Sequence, residues 1–534
     1  MSADALPEWQ TISGLCAVAA EKFPDQLAIA DDATELTYAE LFEQAARSGA
    51  AFVESGVRPG DRVAIWAFNC VEWVIAYLGL ILAGAALVPI NTRFKGREAA
   101  DILLRSRARV LCTVTDFLDT DYVEMLRAVR AELPDLHDIV NLRGPVSTGA
   151  VAWQDFLGRS TSQARVEVDR RRAAATRDDV ADILFTSGTT GTPKGVVMTH
   201  GRSLHVAYDY VQQTDLRRGD RYLMVNPYFH MFGLKAGIIA AVGVGATMFP
   251  EPVFDAGSVL RHIEQHRISV MPGPPTLFQG ILEHPDRRRT DLSSLRVAVT
   301  GATDIPIETM QRIFDAMPSL SILNGYGLTE AGTATGTSVG DDIETIVNTS
   351  GRPRPGVEIR IVDKSGADVP TGSPGEIWIR SARVMLGYLD DPAGTAAALT
   401  ADGYLKTGDL GILDEQRRLR IVGRIKDMFI VGGFNAYPVE IENALMQHPD
   451  IGQVAVIGVP HERLGEVGMA YVVPKPGVNC DAESVIAWAR TQMANYKVPQ
   501  AIEIVDALPI NATGKIQKTV LRERAAQGRA TSPA

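Results

Sequence analysis

A run of glycine, serine and threonine that ends in Pro-Lys-Gly occupies residues 186–195 of the 534-residue chain. It follows the apolar segment 181–185 and leads into a strand-like run at 196–198. Glycines let backbone amides approach an anion closely, hydroxyls add donors, and Lys194 adds a point charge. The run therefore has the parts of a triphosphate cradle, although a hairpin without ligand is the alternative. It is not a Walker loop, which needs Gly-Lys-Ser/Thr opening a helix.

A second candidate motif is Tyr326-Gly327-Leu328-Thr329-Glu330, which follows a predicted strand at 321–324. A carboxylate and a hydroxyl at a strand end suit Mg²⁺, a hard cation that prefers oxygen ligands and stays near substrate phosphates. Taken alone, an ordinary turn and a surface glutamate would also explain these residues.

The glycine-rich run closely resembles the phosphate-loop signature of the adenylate-forming superfamily, which includes acyl-CoA synthetases, adenylation domains of peptide synthetases and firefly-type luciferases. The resemblance continues in the expected order over nearly the whole chain. It implies that Glu330 and Thr189 hold Mg²⁺ and that Thr329 contacts phosphate. The residues expected to bind the phosphates of ATP are Thr186, Ser187, Gly188, Thr189, Thr190, Gly191 and Lys194.

The resemblance also implies a nucleoside site. Tyr326 is expected to stack on adenine, beside small residues that follow a predicted strand at 295–300. Asp409 is expected to accept hydrogen bonds from both ribose hydroxyls, and Arg424 to contact the nucleotide. The full expected set is Gly301, Ala302, Thr303, Asn324, Gly325, Tyr326, Gly327, Asp409 and Arg424.

Residues near the C-terminus resemble the mobile part of the family's catalytic machinery. The Thr-Gly-Lys context of Lys515 is similar to that of the family's catalytic lysine, whereas Lys518 lacks the preceding glycine. Lys426 matches the family's hinge position. The loop expected to reach the thiol tunnel after domain rotation contains Gly432, Gly433 and Phe434.

His230 lies among aromatic residues in the segment 226–233. A lone histidine on an apolar run is usually a satisfied core residue. The resemblance implies instead that His230 borders the acyl pocket and gates access of the carboxylate. Lys235 follows on the same segment, and we expect it to meet a polar part of the substrate.

Two half-reactions follow from the resemblance. Lys515 and Mg²⁺ offset negative charge while a carboxylate attacks ATP, which leaves acyl-AMP and pyrophosphate. Coenzyme A then takes the acyl group after the small domain rotates. The expected cofactors are ATP, Mg²⁺ and coenzyme A, and the expected partner is a small carboxylic acid. Two alternatives stay open: loading of a carrier protein, and a catalytically silent AMP-binding sensor.

Several stretches resemble actinobacterial ligases that activate propanoate-bearing ring fragments of degraded steroids. A steroid-derived ring propanoate or a fatty acid is therefore the expected substrate class. The stretches are residues 182–194, 226–237, 266–275, 291–306 and 428–440.

The apolar pattern indicates an α/β scaffold. Short apolar runs alternate with helical stretches up to about residue 350, which predicts parallel sheets with helices on both faces. Residues 351–422 carry more strand-and-turn signals and predict a β-rich part. We expect a large N-terminal domain, 1–424, a small mobile α+β C-terminal domain, 425–534, and a frayed tail from 525. Predicted strands before residue 350 include 62–67, 110–115, 182–186, 221–225, 270–272, 295–300 and 321–324.

Charge and cysteine content limit the class of protein. The net charge is −11, with 53 basic and 64 acidic residues, which disfavours nucleic-acid binding. Four widely spaced cysteines, without a C-x-x-C pair or a secretory signal, indicate a cytoplasmic protein. The apolar run at 73–90 is long enough for a membrane span, but its glycines predict a buried helix, a turn at Gly84 and a strand at 85–89. An oligomer is possible.

Overall fold

The computed structural model describes residues 10–186, 193–300, 307–432, 434–510 and 516–530. Within these ranges, strands and helices alternate as the sequence predicts. The strands are β1 Leu27–Ala30, β2 Glu35–Thr37, β3 Arg62–Trp66, β4 Ala86–Pro89, β5 Ala108–Val114, β6 Asp138–Arg143, β7 Val151–Ala152, β8 Val180–Thr186, β9 Lys194–Thr199, β10 Arg221–Met224, β11 Thr247–Pro250, β12 Val297–Val299, β13 Ser321–Leu323, β14 Gly325–Leu328, β15 Gly332–Gly336, β16 Arg352–Pro353, β17 Glu358–Val362, β18 Gly375–Arg380, β19 Gly387–Tyr388, β20 Leu405–Leu413, β21 Leu419–Arg424, β22 Phe429–Val431, β23 Phe434–Ala436, β24 Ile451–His461, β25 Gly465–Pro474 and β26 Ala501–Ile504.

The α-helices are α1 Ile12–Lys22, α2 Tyr38–Glu54, α3 Val71–Leu82, α4 Gly96–Ser106, α5 Tyr122–Arg127, α6 Trp153–Leu157, α7 Ser162–Ala174, α8 His200–Thr214, α9 Ala240–Val244, α10 Ala256–His266, α11 Pro275–Glu283, α12 Ile307–Ala316, α13 Ile343–Asn348, α14 Pro392–Ala398, α15 Pro438–Leu445, α16 Ala482–Gln492 and α17 Lys518–Ala530. A π-helix spans Phe232–Ile239, and two 3₁₀ turns span Arg130–Glu132 and Pro285–Arg288.

An eight-stranded sheet carries the glycine-rich run. Its order is β19-β9-β8-β4-β3-β5-β6-β7, and the strands from β8 through β7 pair in parallel. The β8–β9 and β9–β19 pairs are antiparallel. Helices connect most of the parallel strands, as parallel pairing requires. The predicted parallel α/β arrangement is therefore confirmed for this sheet.

A second layer is built on β10-β11-β1-β2 and on the parallel pair β12–β13. The strand predicted at 270–272 is wrong, because only Val270 pairs there. It bridges Tyr222 on one side and Val297 on the other. Pro272, Pro274 and Pro275 follow closely, and proline has no backbone donor to extend a ladder.

The predicted β-rich part is present after β13. Strands β14, β15 and β16 form one antiparallel sheet, and β17, β18, β20 and β21 form another. The last part of the chain forms a mixed sheet in the order β23-β22-β25-β24, with β26 parallel to β25.

The apolar run at 73–90 folds as predicted. Every residue of α3 except Glu72 is buried. Gly84 has φ +80°, a conformation that favours glycine, and it turns the chain into β4 at the centre of the eight-stranded sheet. No helix in the described part of the chain is long and apolar enough to cross a membrane.

A separate hydrophobic core collects buried residues between Phe429 and Ala525. It includes Leu521 and Ala525 of α17. The frayed tail predicted from residue 525 is therefore wrong up to Ala530, because one face of this helix packs on the core. Residues 531–534 lie outside the described part, and the boundary at 424/425 stays a prediction.

Candidate active site

The glycine-rich run joins the ends of two paired strands. Thr186, the last residue of β8, faces Lys194, the first residue of β9. Arg105 at the end of α4 lies over the Phe185 ring of β8 (5.3 Å), and its guanidinium donates to the carbonyl of Pro193, which directly precedes β9 (2.7 Å). Sequence reasoning missed Arg105. The loop residues Ser187, Gly188, Thr189, Thr190 and Gly191 lie outside the described part.

Lys194 lies in the wall of an open cleft of about 460 Å³. Its Nζ is 3.8 Å from an Asp391 carboxylate oxygen and 4.7 Å from the centre of the Tyr388 ring. An open cleft gives a small anion access to the ammonium group.

Glu330 lies in the turn between β14 and β15. Its Oε1 accepts a hydrogen bond from the Tyr388 hydroxyl (3.2 Å), and its backbone carbonyl accepts from Met385 N (2.7 Å). Burial raises the pKa of Glu330 above its usual value, whereas the Tyr388 hydrogen bond opposes the shift. Thr329 is half-buried beside it.

The oxygen ligands available at Glu330 suit a hard cation that binds few protein side chains. Among the described residues, no group of three or more His, Cys, Asp or Glu side chains is arranged around a common metal position. Mg²⁺ usually binds through one or two carboxylates and completes its shell with water and phosphate oxygens. A single carboxylate at Glu330 therefore fits Mg²⁺ brought in with a nucleotide.

A second cluster centres on the buried carboxylate of Asp409. The Tyr326 hydroxyl donates to one oxygen (2.6 Å), and Arg424 Nε lies 3.0 Å from the other. Asp409 and Arg424 face each other in the β20–β21 pairing. Each carboxylate oxygen can accept more than one hydrogen bond, so Asp409 can still accept hydrogen bonds from ribose hydroxyls.

The two clusters lie within electrostatic range of each other. The charge of Asp409 raises the pKa of Glu330, and that of Arg424 lowers it. Burial also raises the pKa of the Tyr326 hydroxyl, which keeps it protonated as a donor. The fold therefore joins residues from the β14–β15 hairpin with residues from β20 and β21.

Asn324, Gly325 and Gly327 shape the β14–β15 hairpin. The Asn324 amide donates to the Ile346 and Thr349 carbonyls (3.1 and 3.2 Å) at the end of α13. A Cβ on Gly327 would lie 2.5 Å from the Gly332 carbonyl oxygen, so only glycine fits. Their predicted contacts with nucleotide stay predictions, and Gly301, Ala302 and Thr303 lie outside the described part.

His230 lies two residues before the π-helix, and its Nδ1 accepts a hydrogen bond from Phe232 N (3.2 Å), the first residue of that helix. Lys235 within that helix is fully buried, with its Nζ 3.0 Å from Asp182 of β8. Ser203 of α8 donates to the other Asp182 oxygen (2.6 Å). Burial lowers the pKa of Lys235, and Asp182 opposes the shift.

The expected substrate contact of Lys235 is therefore not supported, because its ammonium group is engaged by Asp182. The sequence did carry one signal for this ion pair. Asp182 is a charged residue inside an apolar strand, and a buried charge needs a partner.

The C-terminal candidates form a separate group. Gly432 has φ +56° in the turn between β22 and β23, and Phe434 is 60% exposed with its ring stacked on Tyr496. Lys426 is exposed in the link between β21 and β22. Gly433 and Lys515 lie outside the described part. Lys518, the competitor of Lys515, is paired with Glu442 at 2.7 Å.

Comparisons with known proteins agree with this arrangement. Residues 16–389 match the family profile of the AMP-binding enzymes, and residues 440–515 match that of the AMP-binding enzyme C-terminal domain. The anthranilate CoA ligase AuaEII, solved in complex with anthranoyl-AMP, superposes with a TM-score of 0.88. It is 30% identical in sequence, and the alignment covers 99% of this chain and 100% of that one.

Two curated relatives are 3-[(3aS,4S,7aS)-7a-methyl-1,5-dioxo-octahydro-1H-inden-4-yl]propanoyl:CoA ligases. The protein from Rhodococcus jostii RHA1 is 45% identical over 95% of this chain and 97% of its own length. The protein from Mycobacterium tuberculosis H37Rv is 46% identical over 94% of this chain and 96% of its own length. The predicted superfamily and fold class are confirmed. This chain belongs to the family of AMP-binding enzymes and is an AMP-forming acid–thiol ligase.

Proposed function

We propose that this protein joins coenzyme A to a propanoate carried on a fused, diketone-bearing ring system of the kind left by steroid degradation. The observation that carries the proposal is the identity of 45–46% over at least 94% of the chain with two ligases named for that acid. The reaction consumes ATP and proceeds through acyl-AMP.

The first half-reaction joins two anions, so the site must offset charge and align the attack. A carboxylate oxygen of the acid bonds to the α-phosphorus while the bond to pyrophosphate breaks. We assign the phosphates to the loop between Thr186 and Lys194, and the ribose to Asp409. Bound at Glu330, Mg²⁺ would neutralise phosphate charge. Lys515 stabilises the charge that develops around the α-phosphate.

The second half-reaction forms a carbon–sulfur bond. The thiol sulfur of coenzyme A attacks the acyl carbonyl, its proton leaves to solvent, and AMP departs. We assign this step to a second orientation of the domain 425–534, reached by rotation about Lys426. In that orientation Lys515 withdraws and the turn of Gly432, Gly433 and Phe434 approaches the acyl group. The separate hydrophobic core of residues 429–525 and a short, partly exposed link support such a movement.

His230 is the proposed border of the acyl pocket. It lies two residues before the π-helix, a geometry that is rare and frequently found at functional sites. We also propose a cytoplasmic location, which the four free, buried cysteines and the bacterial relatives support.

A panel of acids tests the substrate. The purified protein is incubated with MgATP, coenzyme A and one acid at a time, and the thioester is measured by mass spectrometry. The bicyclic diketone propanoate should give kcat/KM at least about tenfold above fatty acids and arylpropanoates of similar length, because differences in hydrophobic contact alone discriminate about 10–200-fold. Equal rates for all acids would contradict the assignment. Omitting coenzyme A should leave acyl-AMP formation intact.

A further inference from the structure

Tyr388 links two parts of the phosphate site that the sequence did not connect. It lies on the short strand β19, where it faces Val196 of β9. Residues two apart on a strand point to the same face, so Tyr388 lies diagonally beside Lys194. The distance of 4.7 Å from Lys194 Nζ to the ring centre confirms this contact.

The hydroxyl group of Tyr388 extends past Lys194 to a second target. It donates a hydrogen bond to Glu330 Oε1 at 3.2 Å. One side chain therefore contacts the lysine at the end of the phosphate loop through its ring and the carboxylate proposed for Mg²⁺ through its hydroxyl.

The backbone around Tyr388 is held on both sides. Leu386 N donates to the Val197 carbonyl (2.9 Å), and Leu389 N donates to the Gly195 carbonyl (2.7 Å). Tyr388 N donates to the Thr395 hydroxyl of α14 (2.8 Å). These hydrogen bonds fix the position of the Tyr388 backbone. A residue that orients other groups needs such a fixed backbone.

We propose that Tyr388 is a positioning residue for MgATP. Its hydroxyl orients Glu330 toward the metal, and its ring places Lys194 beside the phosphates. The ion pair between Lys194 and Asp391 orients Lys194 only weakly, because it is long at 3.8 Å and partly exposed. The inference rests on the proposed roles of Glu330 and Lys194.

Two substitutions separate the two contacts. Tyr388→Phe removes the hydroxyl and keeps the ring, whereas Tyr388→Leu removes both. Calorimetry with an ATP analogue that has a methylene group between the α- and β-phosphates gives Kd with and without Mg²⁺. Tyr388→Phe should raise Kd about tenfold with Mg²⁺ and less than about twofold in EDTA. Tyr388→Leu should also raise Kd in EDTA by about threefold, because the cation–π contact is lost.

A matched control is Tyr404→Phe. Tyr404 also donates its hydroxyl to a carboxylate, that of Glu358, and it has no proposed role in the site. Its Kd values should stay within about twofold of wild type. Thermal unfolding of every variant establishes that a change in Kd does not reflect unfolded protein.

Glu330→Gln separates failure of this inference from failure of the proposed function. The Glu330→Gln variant should weaken binding only when Mg²⁺ is present. Adding Tyr388→Phe to that variant should change Kd by less than about twofold, because both substitutions act through the same carboxylate. Two results would overturn only the role of Tyr388: additive effects of the two substitutions on Kd, or an equal loss of affinity in Tyr388→Phe with Mg²⁺ and in EDTA. Unchanged binding by Glu330→Gln would overturn the metal assignment beneath it.

Discussion

At the scale of single residues, the proposed chemistry is divided between groups that the fold brings together and Lys515, which we propose moves between the two half-reactions. Tyr326, Asp409 and Arg424 form one cluster of polar contacts. Glu330, Tyr388 and Lys194 form another, through a hydrogen bond and a cation–π contact. Both use donors held by strands. Lys515 belongs to the C-terminal part of the sequence, so its proposed contribution would depend on the orientation of that part in each half-reaction.

Replacing Lys515 with alanine should therefore separate the two half-reactions. Removal of one well-placed electrostatic stabiliser lowers the rate by roughly 10²–10³. We expect that loss in pyrophosphate release, while thioester formation from supplied acyl-AMP continues at near the wild-type rate. Lys518→Ala is the control, because Lys518 pairs with Glu442 and should leave adenylation intact. An equal loss in both half-reactions would show that Lys515 does not withdraw.

At the scale of elements, buried polar contacts join helices to the central sheet and to each other. Lys235 in the π-helix pairs with Asp182 in β8, which leads directly into the glycine-rich run. His200 at the start of α8 accepts a hydrogen bond from Ile12 N through Nδ1 (3.3 Å). Both contacts are buried, so each makes stability depend on the charge of one side chain.

Removing one partner of the buried ion pair should be costly. Lys235→Met leaves Asp182 buried without its cation, which typically destabilises a fold by about 3–5 kcal/mol. The variant should unfold at a clearly lower temperature in scanning calorimetry. Adding Asp182→Leu should recover most of the loss, because a well-packed apolar pair needs no solvation. If Lys235→Met were as stable as wild type, the ion pair between Lys235 and Asp182 would not be formed.

His200 predicts a pH dependence of stability. Burial lowers its pKa from 6.5 to about 4, so between these values the unfolded chain binds more protons than the folded one. Stability is then full above pH 6.5 and falls as the pH drops toward 4, by on the order of 3 kcal/mol. His200→Asn keeps an acceptor for Ile12 N without titrating at this pH.

The melting temperature of His200→Asn should fall less between pH 6.5 and 4.5 than that of wild type. His137→Asn serves as the control, because His137 is exposed, and its profile should follow wild type. If the melting temperatures of wild type, His200→Asn and His137→Asn fell equally with pH, the loss of stability in acid would come from groups other than His200.

At the scale of the whole molecule, the link that contains Lys426 joins a C-terminal core to the rest of the described chain. That core collects buried residues from Phe429 to Ala525, whereas three other cores collect buried residues between Ile12 and Leu419. The link itself forms a turn, in which Asp427 N and Met428 N both donate to the Arg424 carbonyl (3.0 Å each). Ile425 N donates to the Gly408 carbonyl (2.9 Å), and Arg522 of α17 pairs with Asp427 at 2.7 Å.

Restricting the link should slow the step that needs rotation. Lys426→Pro fixes φ at one position and limits the preceding residue. Single-turnover measurements should show thioester formation slowed by at least about tenfold, with acyl-AMP formation changed much less. Lys426→Ala, which removes the charge and keeps the backbone free, should resemble wild type. Equal slowing of both steps by Lys426→Pro would place the hinge elsewhere.

The sequence by itself determined the order of the elements and the family. The glycine-rich run between two apolar segments predicts the turn from β8 to β9, and the glycines around residue 84 predict a buried helix followed by β4. These signals are local, because periodicity and turn residues act over a few positions. The same locality explains the failure at 270–272. Met271 N and Gly273 N still donate to the Val297 and Val299 carbonyls, but only Val270 forms complete β-bridges.

Only the tertiary structure decided which side chains meet. Tyr388 reaches Glu330 across 58 residues of chain, and Tyr326 reaches Asp409 across 83. Lys235 was expected to face the substrate and is instead held by Asp182. Hydrogen bonds and ion pairs of this kind depend on strand order and on angles between distant elements. Sequence spacing does not encode either quantity, because they arise only when separate elements pack against one another.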